Sequence, residues 1–446
     1  MLSGGRIAAL KALGAFRRSG VWPQDALDSA IRKEKLDSRD AALSQRICRG
    51  VLRNRAYIDW VLSQYLTTPC EKLEPQLLDI LRLSAYELLF LDRVPENAAV
   101  SQGVELTKKF VNVRASGLAN AVLRKVAVLR GNLPAVELSD EAESLSVRWS
   151  HPKWLVEQFL ERLGREECEA LLAANNAEPS VTLQCNRIKT DPEKLGAELS
   201  SCGAEKHPWC EGAFVLTGQG SPSAVPALRE GRCWVQDAAA RCAVMAAEIR
   251  PGMTVLDICA APGGKSFAAA SDMRNQGDLR AFDIGEKKLS RMDAMAETLG
   301  ISILRTAPMD GSVYCSALKE IADVIIADVP CSGFGTMRKN PDVRYKRDED
   351  TSDLPEIQLA ILKNAVKYLK PGGVLIYSTC TLLRRENEDV VQAFLRERKD
   401  MHLEPFCLAG ADAPEGMKTF WPHKDGTDGF FAAKLRRDTT HGEDRD

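Results

Sequence analysis

The 446-residue sequence predicts a chain of three parts: an all-α front, a small α+β module and a C-terminal α/β domain with a doubly wound parallel sheet. Three observations carry this. Apolar residues recur at helical spacing across residues 1–135, with few runs that read as strands. From residue 240 to 435 short β-branched runs alternate with helical patterns, as parallel sheets require. Within that region Val255 to Ser266, VLDICAAPGGKS, forms a strand, a small-residue turn and a helix start.

Composition bounds the function classes. A hydrophobic content of 45% with 27% charged residues is that of an ordinary globular protein, and the length suits two or three domains. Thirteen cysteines with no CxxC spacing predict free thiols, neither a disulfide framework nor a structural zinc site, and no metal is expected. The first residues carry Lys11 among Ile7, Leu10, Leu13 and Phe16, an amphipathic helix rather than a secretion signal. No apolar run reaches membrane-spanning length, so a cytoplasmic protein is expected. A monomer is expected too, since neither a coiled coil nor a large apolar stripe is visible. Net charge is -2. Residues 1–140 nevertheless hold 21 basic against 15 acidic side chains, a mild excess that RNA contact would use and that helical proteins also reach by chance.

In chain order, a long helical segment begins at Asp40 and carries Ile47, Val51, Leu52, Ile58, Val61, Leu62 and Leu66 until Pro69 breaks it. A second helix runs from Leu77 to near Asp92, a third from Ala98 to Phe110 and a fourth from Ser116 to Leu129. An all-α bundle follows. Arg46, Arg49, Arg53 and Arg55 lie on or near one helix, where they either meet phosphate or form a solvated face. Asn132 to Asp140, with Pro134, is a linker. A module over 145–235 starts with helices from His151 and from Glu166. It continues with a strand at Val181–Asn186, a helix at Asp191–Ser200 and a strand at Phe214–Leu216. Trp234 either stacks on a base or fills a core, and the core is favoured.

The α/β domain over 236–437 has strands ending at Asp257, near Asp283, near Ala307, at Asp328 and at Ser378. Ligands collect beyond the carboxyl ends of such strands, so Asp257, Asp283, Asp310 and Asp328 should face one crevice. After Asp257 the turn Cys259-Ala260-Ala261-Pro262-Gly263-Gly264 lets a ligand approach the backbone, and Lys265 opens a helix with free N–H groups. It is not a Walker A loop, which would need Gly at Cys259, nor a GxGxxG loop. Asp283 stands where an acid binds ribose hydroxyls, although with Glu286 three residues on it also suits a helix cap. Asp310 either binds or begins a turn.

DICAAPGGKS resembles the first motif of the Sun-type RNA cytosine-C5 methyltransferases. Asp328-Val329-Pro330-Cys331-Ser332-Gly333-Phe334-Gly335 is similar to their DxPCSGxG motif, and Tyr377-Ser378-Thr379-Cys380-Thr381 to their YSTC motif. Asp428 to Leu435, DGFFAAKL, resembles their closing strand. LRLSAYELLFLDRVPENAAVSQGVELTKKF and SGLANAVLRKV resemble the NusB-like domain of the bacterial members, and SVTLQCNRIKTD the strand of their RRM-like module. Arg338-Lys339-Asn340-Pro341-Asp342 resembles an RNA-side segment in which Asn340 replaces the usual His.

The resemblance implies a NusB-like domain over 1–135, an RRM-like module over 145–235, a Rossmann-like methyltransferase domain over 236–437 and a disordered tail over 438–446. It implies that S-adenosyl-L-methionine is held by Cys259, Ala260, Ala261, Pro262, Gly263, Gly264, Lys265, Asp283, Asp310 and Asp328. It implies methylation of carbon 5 of one unpaired or flipped cytosine in 16S rRNA. Chemistry explains the need for a thiol: carbon 5 becomes nucleophilic enough only after a thiolate adds to carbon 6. By resemblance Cys380 is that nucleophile and Cys331 assists release. Two alternatives are the same chemistry on tRNA and a non-catalytic NusB-like RNA-binding factor.

Overall fold

The computed structural model describes residues 2–19, 23–217, 225–408 and 410–439. The expected disordered tail lies, from residue 440 on, outside the described residues. The chain forms two compact units, Met1–Ala177 with Asn340–Lys346, and Glu178–Lys339 with Arg347–Asp446.

The first unit is helical: α1 (Gly4–Ser19), α2 (Pro23–Glu34), α3 (Ser38–Arg53), α4 (Arg55–Ser63), α5 (Pro75–Phe90), α6 (Glu96–Phe110), α7 (Val113–Ala127), α8 (Glu141–Trp149), α9 (Lys153–Leu163) and α10 (Arg165–Asn176). The all-α expectation holds, with one correction. The segment from Asp40 to Leu66 is two helices, because Asn54 donates its side-chain amide to Gly50 O at 2.9 Å and ends α3. Arg53 and Arg55 therefore stand on different helices. Helix α5 is the centre of the bundle, with Ile80, Leu81, Leu83 and Leu88 wholly buried. It also buries two carboxylates, each held by arginine: Glu87 by Arg6 at 2.7 Å, and Asp79 by Arg17 at 3.0 Å. Helices α9 and α10, which answer to the expected helices from His151 and from Glu166, fall in this compact unit with α8.

The second unit opens with β1 (Val181–Cys185), α11 (Pro192–Ser200), β2 (Ala204–Lys206), β3 (Ala213–Leu216), α12 (Pro226–Arg229) and β4 (Cys233–Val235). The strands form an antiparallel sheet in the order β2-β3-β1-β4, a split βαβ arrangement. Trp234 is a core residue, 5% exposed, with its indole N–H donated to Gln236.

The large domain follows with α13 (Ala238–Ala246), β5 (Thr254–Asp257), α14 (Gly264–Asp272), β6 (Asp278–Asp283), α15 (Glu286–Leu299), β7 (Leu304–Pro308), β8 (Ala322–Asp328), α16 (Leu354–Ala365), β9 (Leu369–Thr379), α17 (Glu388–Glu397), β10 (Met401–Leu403), β11 (Met417–Phe420), α18 (Pro422–Asp425) and β12 (Phe430–Arg437). Its strands run β10-β12-β9-β8-β5-β6-β7, with β11 on β12. Strands β9, β8, β5, β6 and β7 are parallel as expected. The sheet is mixed rather than wholly parallel, because β12 returns antiparallel to β9 and carries β10 and β11. Val255, Val324 and Ile376 feed a core with α13 to α15, while Leu256, Ile325 and Leu375 feed one with α16 and α17. The connections from β5 and β8 leave in opposite directions, which opens a crevice at their carboxyl ends.

Candidate active site

The loop after β5 is shaped by its small residues. Gly263 has φ +110° as the first cap of α14, a conformation L side chains rarely adopt, and a Cβ there would lie 2.4 Å from the Phe267 ring. Gly263 N–H closes the turn on Ala260 O at 2.8 Å, and Ala260 N–H ties it to Phe282 O at 2.8 Å. The Ala261–Pro262 peptide is cis, Pro262 is exposed and Gly264 half-buried. The loop thus presents its backbone at the head of the β5/β6 pair.

The acids converge as expected. Asp283 Oδ2 accepts from Ala261 N–H at 3.2 Å and Oδ1 from Gly285 N–H at 2.9 Å, so this carboxylate joins the glycine loop to the next turn. Asp328 accepts from Ser378 Oγ at 2.8 Å and pairs with Lys265 Nζ at 2.5 Å. Lys265 is buried, and its ammonium lies 5.0 Å over the Phe430 ring. Asp257 is 1% exposed, accepts from Ser266 Oγ at 2.6 Å, and keeps Oδ1 without a partner. Burial pushes its carboxyl up to about 7, against the Ser266 hydrogen bond. Cys259 stands half-buried among Asp257, Asp328, Asp283 and Asp310, and burial with those four charges raises its thiol. Asp310 is exposed and bonds Ser312 through both its N–H and its hydroxyl, which holds the carboxyl low, so it does begin a turn at the crevice.

The two motif cysteines meet. Cys331 Sγ lies 3.2 Å from Cys380 Sγ, and Cys380 N–H donates to Cys331 Sγ at 3.3 Å. Each following residue repeats the link: Ser332 Oγ is 2.7 Å from Thr381 Oγ1. Gly335 N–H donates to Cys380 O at 2.9 Å, and Gly429 N–H to Gly335 O at 2.8 Å. A Cβ on Gly335 would fall 1.8 Å from Gly429 O, so the cysteine loop and the closing strand approach as only glycine permits. The Cys331 thiol is raised by its hydrogen bond with Cys380, then by burial and the Glu386 and Asp328 charges.

Two parts of this site were not foreseen. Glu386 and Gln358, both wholly buried, bind the peptide groups on either side of Cys331. Burial is what distinguishes them; in the sequence RRENED reads as a solvated charge run. Lys339, expected on the RNA side, is 2.6 Å from Asp428 and 3.4 Å from Asp237. Asn340, where that resemblance has its substitution, begins the segment that belongs to the helical unit.

Residues 244–436 match the family model described as 16S rRNA methyltransferase RsmB/F, residues 4–128 that of the NusB family, and residues 151–222 a ferredoxin-like domain of RsmF/B-like methyltransferases. The chain is 32% identical over 445 residues to the probable ribosomal RNA small subunit methyltransferase B of Bacillus subtilis, spanning 97% of this chain and 98% of that protein. It is 32% identical over 409 residues to the ribosomal RNA small subunit methyltransferase B of Klebsiella pneumoniae, spanning 90% and 91%. Among solved structures, a methyltransferase homolog protein from Pyrococcus horikoshii superposes with a TM-score of 0.58 at 28% identity, spanning 67% of this chain and 100% of that one.

Proposed function

The chain belongs to the RsmB/F family of 16S rRNA methyltransferases, and from that premise we propose that it methylates carbon 5 of one cytosine in 16S rRNA through a covalent bond between Cys380 and carbon 6. The observation that carries this reading is the pair of cysteines from two strand ends, 3.2 Å apart beside the acid-lined crevice.

The residues at the crevice fit S-adenosyl-L-methionine. Asp283 is an acceptor at the strand end where ribose hydroxyls bind, and the turn from Cys259 to Gly264 offers backbone beside it. Four carboxyl groups around Cys259 suit a positively charged ligand. The cofactor supplies an electrophilic methyl group on a sulfonium. Every other step falls to the chain. Cys380 thiolate adds to carbon 6, and the electron pair of the ring double bond moves to carbon 5, which takes the methyl group. Loss of the carbon 5 proton to solvent then re-forms the double bond and expels the Cys380 sulfur with its electron pair. Lys265 and Ser378 fix Asp328 at the strand end beside Cys331, where it can meet the base. The cytosine must be unpaired or flipped to reach the thiol, and the helical unit supplies RNA contact.

Labelled S-adenosyl-L-methionine should be incubated with small-subunit rRNA or with tRNA, and the RNA digested to nucleosides. The label is expected in 5-methylcytidine from rRNA alone. Label in another nucleoside contradicts the chemistry, and label only in tRNA contradicts the substrate.

A further inference from the structure

A fully buried carboxylate sits where the mechanism above does not use it. Glu386 closes the 3-10 turn Arg384–Glu386 beyond Cys380 and has no exposure. Its Oε2 accepts from Ser332 N–H at 2.8 Å and from Gln358 Nε2 at 3.0 Å. Gln358 Nε2 also donates to Pro330 O at 2.9 Å. One Glu–Gln pair therefore grips the peptide groups before and after Cys331. The same glutamate is tied to the strand of the other cysteine, because Tyr377 O–H donates to Glu386 O at 2.5 Å. Its Oε1 is buried without a partner. Among the described residues its hydrogen bonds include no ion-pair partner, although a lone buried carboxylate is costly. A neutral side chain would grip Ser332 as well, so the charge itself needs a use.

The two sulfurs form a hydrogen-bonded pair in which only one can be the donor. We propose that Glu386 is a positioning residue that decides which: its grip and its charge keep Cys331 as the S–H donor facing the Cys380 sulfur, so that the sulfur leaving carbon 6 is met by a donor. This rests on the roles given to Cys380 and Cys331 above. No proton is transferred between the sulfurs. The carbon 6–sulfur bond breaks with its electron pair on Cys380, and the Cys331 S–H stabilises that negative charge by hydrogen bonding. The groups facing Cys331 agree. Tyr377 approaches from β9 and Cys380 from just past its end, Asp328 from β8 with Lys265 of α14 paired to it, and Glu386 from the turn. Lys265 pairs with Asp328 at 2.5 Å, whereas among the described residues no cation pairs with Glu386. The thiol of Cys331 is raised first by its hydrogen bond with Cys380, then by burial, and after these by the charges of Glu386 and Asp328.

The test follows single-turnover methylation of small-subunit rRNA across pH, measuring the RNA that stays bound through denaturing electrophoresis. Glu386→Gln keeps an oxygen for Ser332 and removes the charge. The variant should form the adduct but release it roughly tenfold more slowly. Without the charge Cys331 ionises more readily, so the alkaline fall in release should start about one pH unit lower than in the unsubstituted protein. Glu386→Asp, which restores the charge, should return the fall toward its original pH. An unmoved alkaline limb, or formation and release declining together, overturns the proposal. Should Glu386→Gln fail to fold, peptide-resolved alkylation of the unsubstituted protein decides: Cys380 must react at lower pH than Cys331, and the reverse order overturns it. Cys331→Ala separates this from the parent reading. If that variant traps no RNA, the cysteine roles fail; if it traps RNA while Glu386→Gln leaves the limb unmoved, only the role of Glu386 fails.

Discussion

Asp257 ends β5 with its carboxyl buried, and its Oδ2 accepts from Ser266 Oγ. Its pKa of about 7 in the fold exceeds that of an unfolded aspartate near 4, so the folded state binds the proton more tightly. The resulting stabilisation is fully present below about pH 4 and is lost as pH rises toward about 7. Asp257→Asn, which carries a neutral side chain of the same shape, should therefore gain melting temperature over the unsubstituted protein at about pH 8 and little at about pH 5. An equal change at both pH values would refute this. At the same scale, Cys331 and Cys380 were legible because each sits in a distinctive string at a strand end. Glu386 was not, because nothing in RRENED separates a buried carboxylate from its exposed neighbours. Asp310 was legible only as two options, and its bonds to Ser312 show the turn.

Among the elements, the seven residues Asn340–Lys346 have the least expected placement. Within the helical unit, Arg344 Nη1 lies 2.7 Å from Arg53 O at the end of α3, 3.0 Å from Ser150 O just past α8, and 3.0 Å from Asn176 Oδ1 at the end of α10. Three helix C-termini, each carrying partial negative charge, thus surround one guanidinium. Burial lowers the Arg344 pKa to about 10, which still leaves it charged at neutral pH. Tyr345 adds its hydroxyl to Leu52 O at 2.5 Å and an edge contact with Phe16. Arg344→Met should cost about 3 kcal/mol or more, since it strands buried carbonyls that a charged donor now satisfies. Chemical denaturation would measure this, and a loss below about 1 kcal/mol would contradict it. Local sequence cannot reveal such a peg, because its partners lie more than 160 residues away. The break at Asn54 was missed for the opposite reason: the apolar spacing runs on across it, and only a side-chain bond ends α3.

For the whole molecule, the order of parts was legible because each has its own period: helical in front, alternating in the middle, strand and helix in turn at the end. The antiparallel return of β12 was not, since the alternation of β5 to β9 says nothing of the direction of the last strand. The compact units divide at Ala177, and within the first of them α8 packs on α4, α9 and α10. Among the described residues no helix is long and apolar enough to cross a membrane.

In the proposed reaction two thiols 3.2 Å apart divide the work, Cys380 adding to the base and Cys331 serving its release. The most direct measurement compares Cys380→Ala with Cys331→Ala on small-subunit rRNA, following methyl transfer and RNA retained through denaturing electrophoresis. Cys380→Ala should lose transfer and retain no RNA, whereas Cys331→Ala should accumulate a covalent protein–RNA adduct. An adduct in the Cys380 variant would make Cys331 the nucleophile and contradict the account.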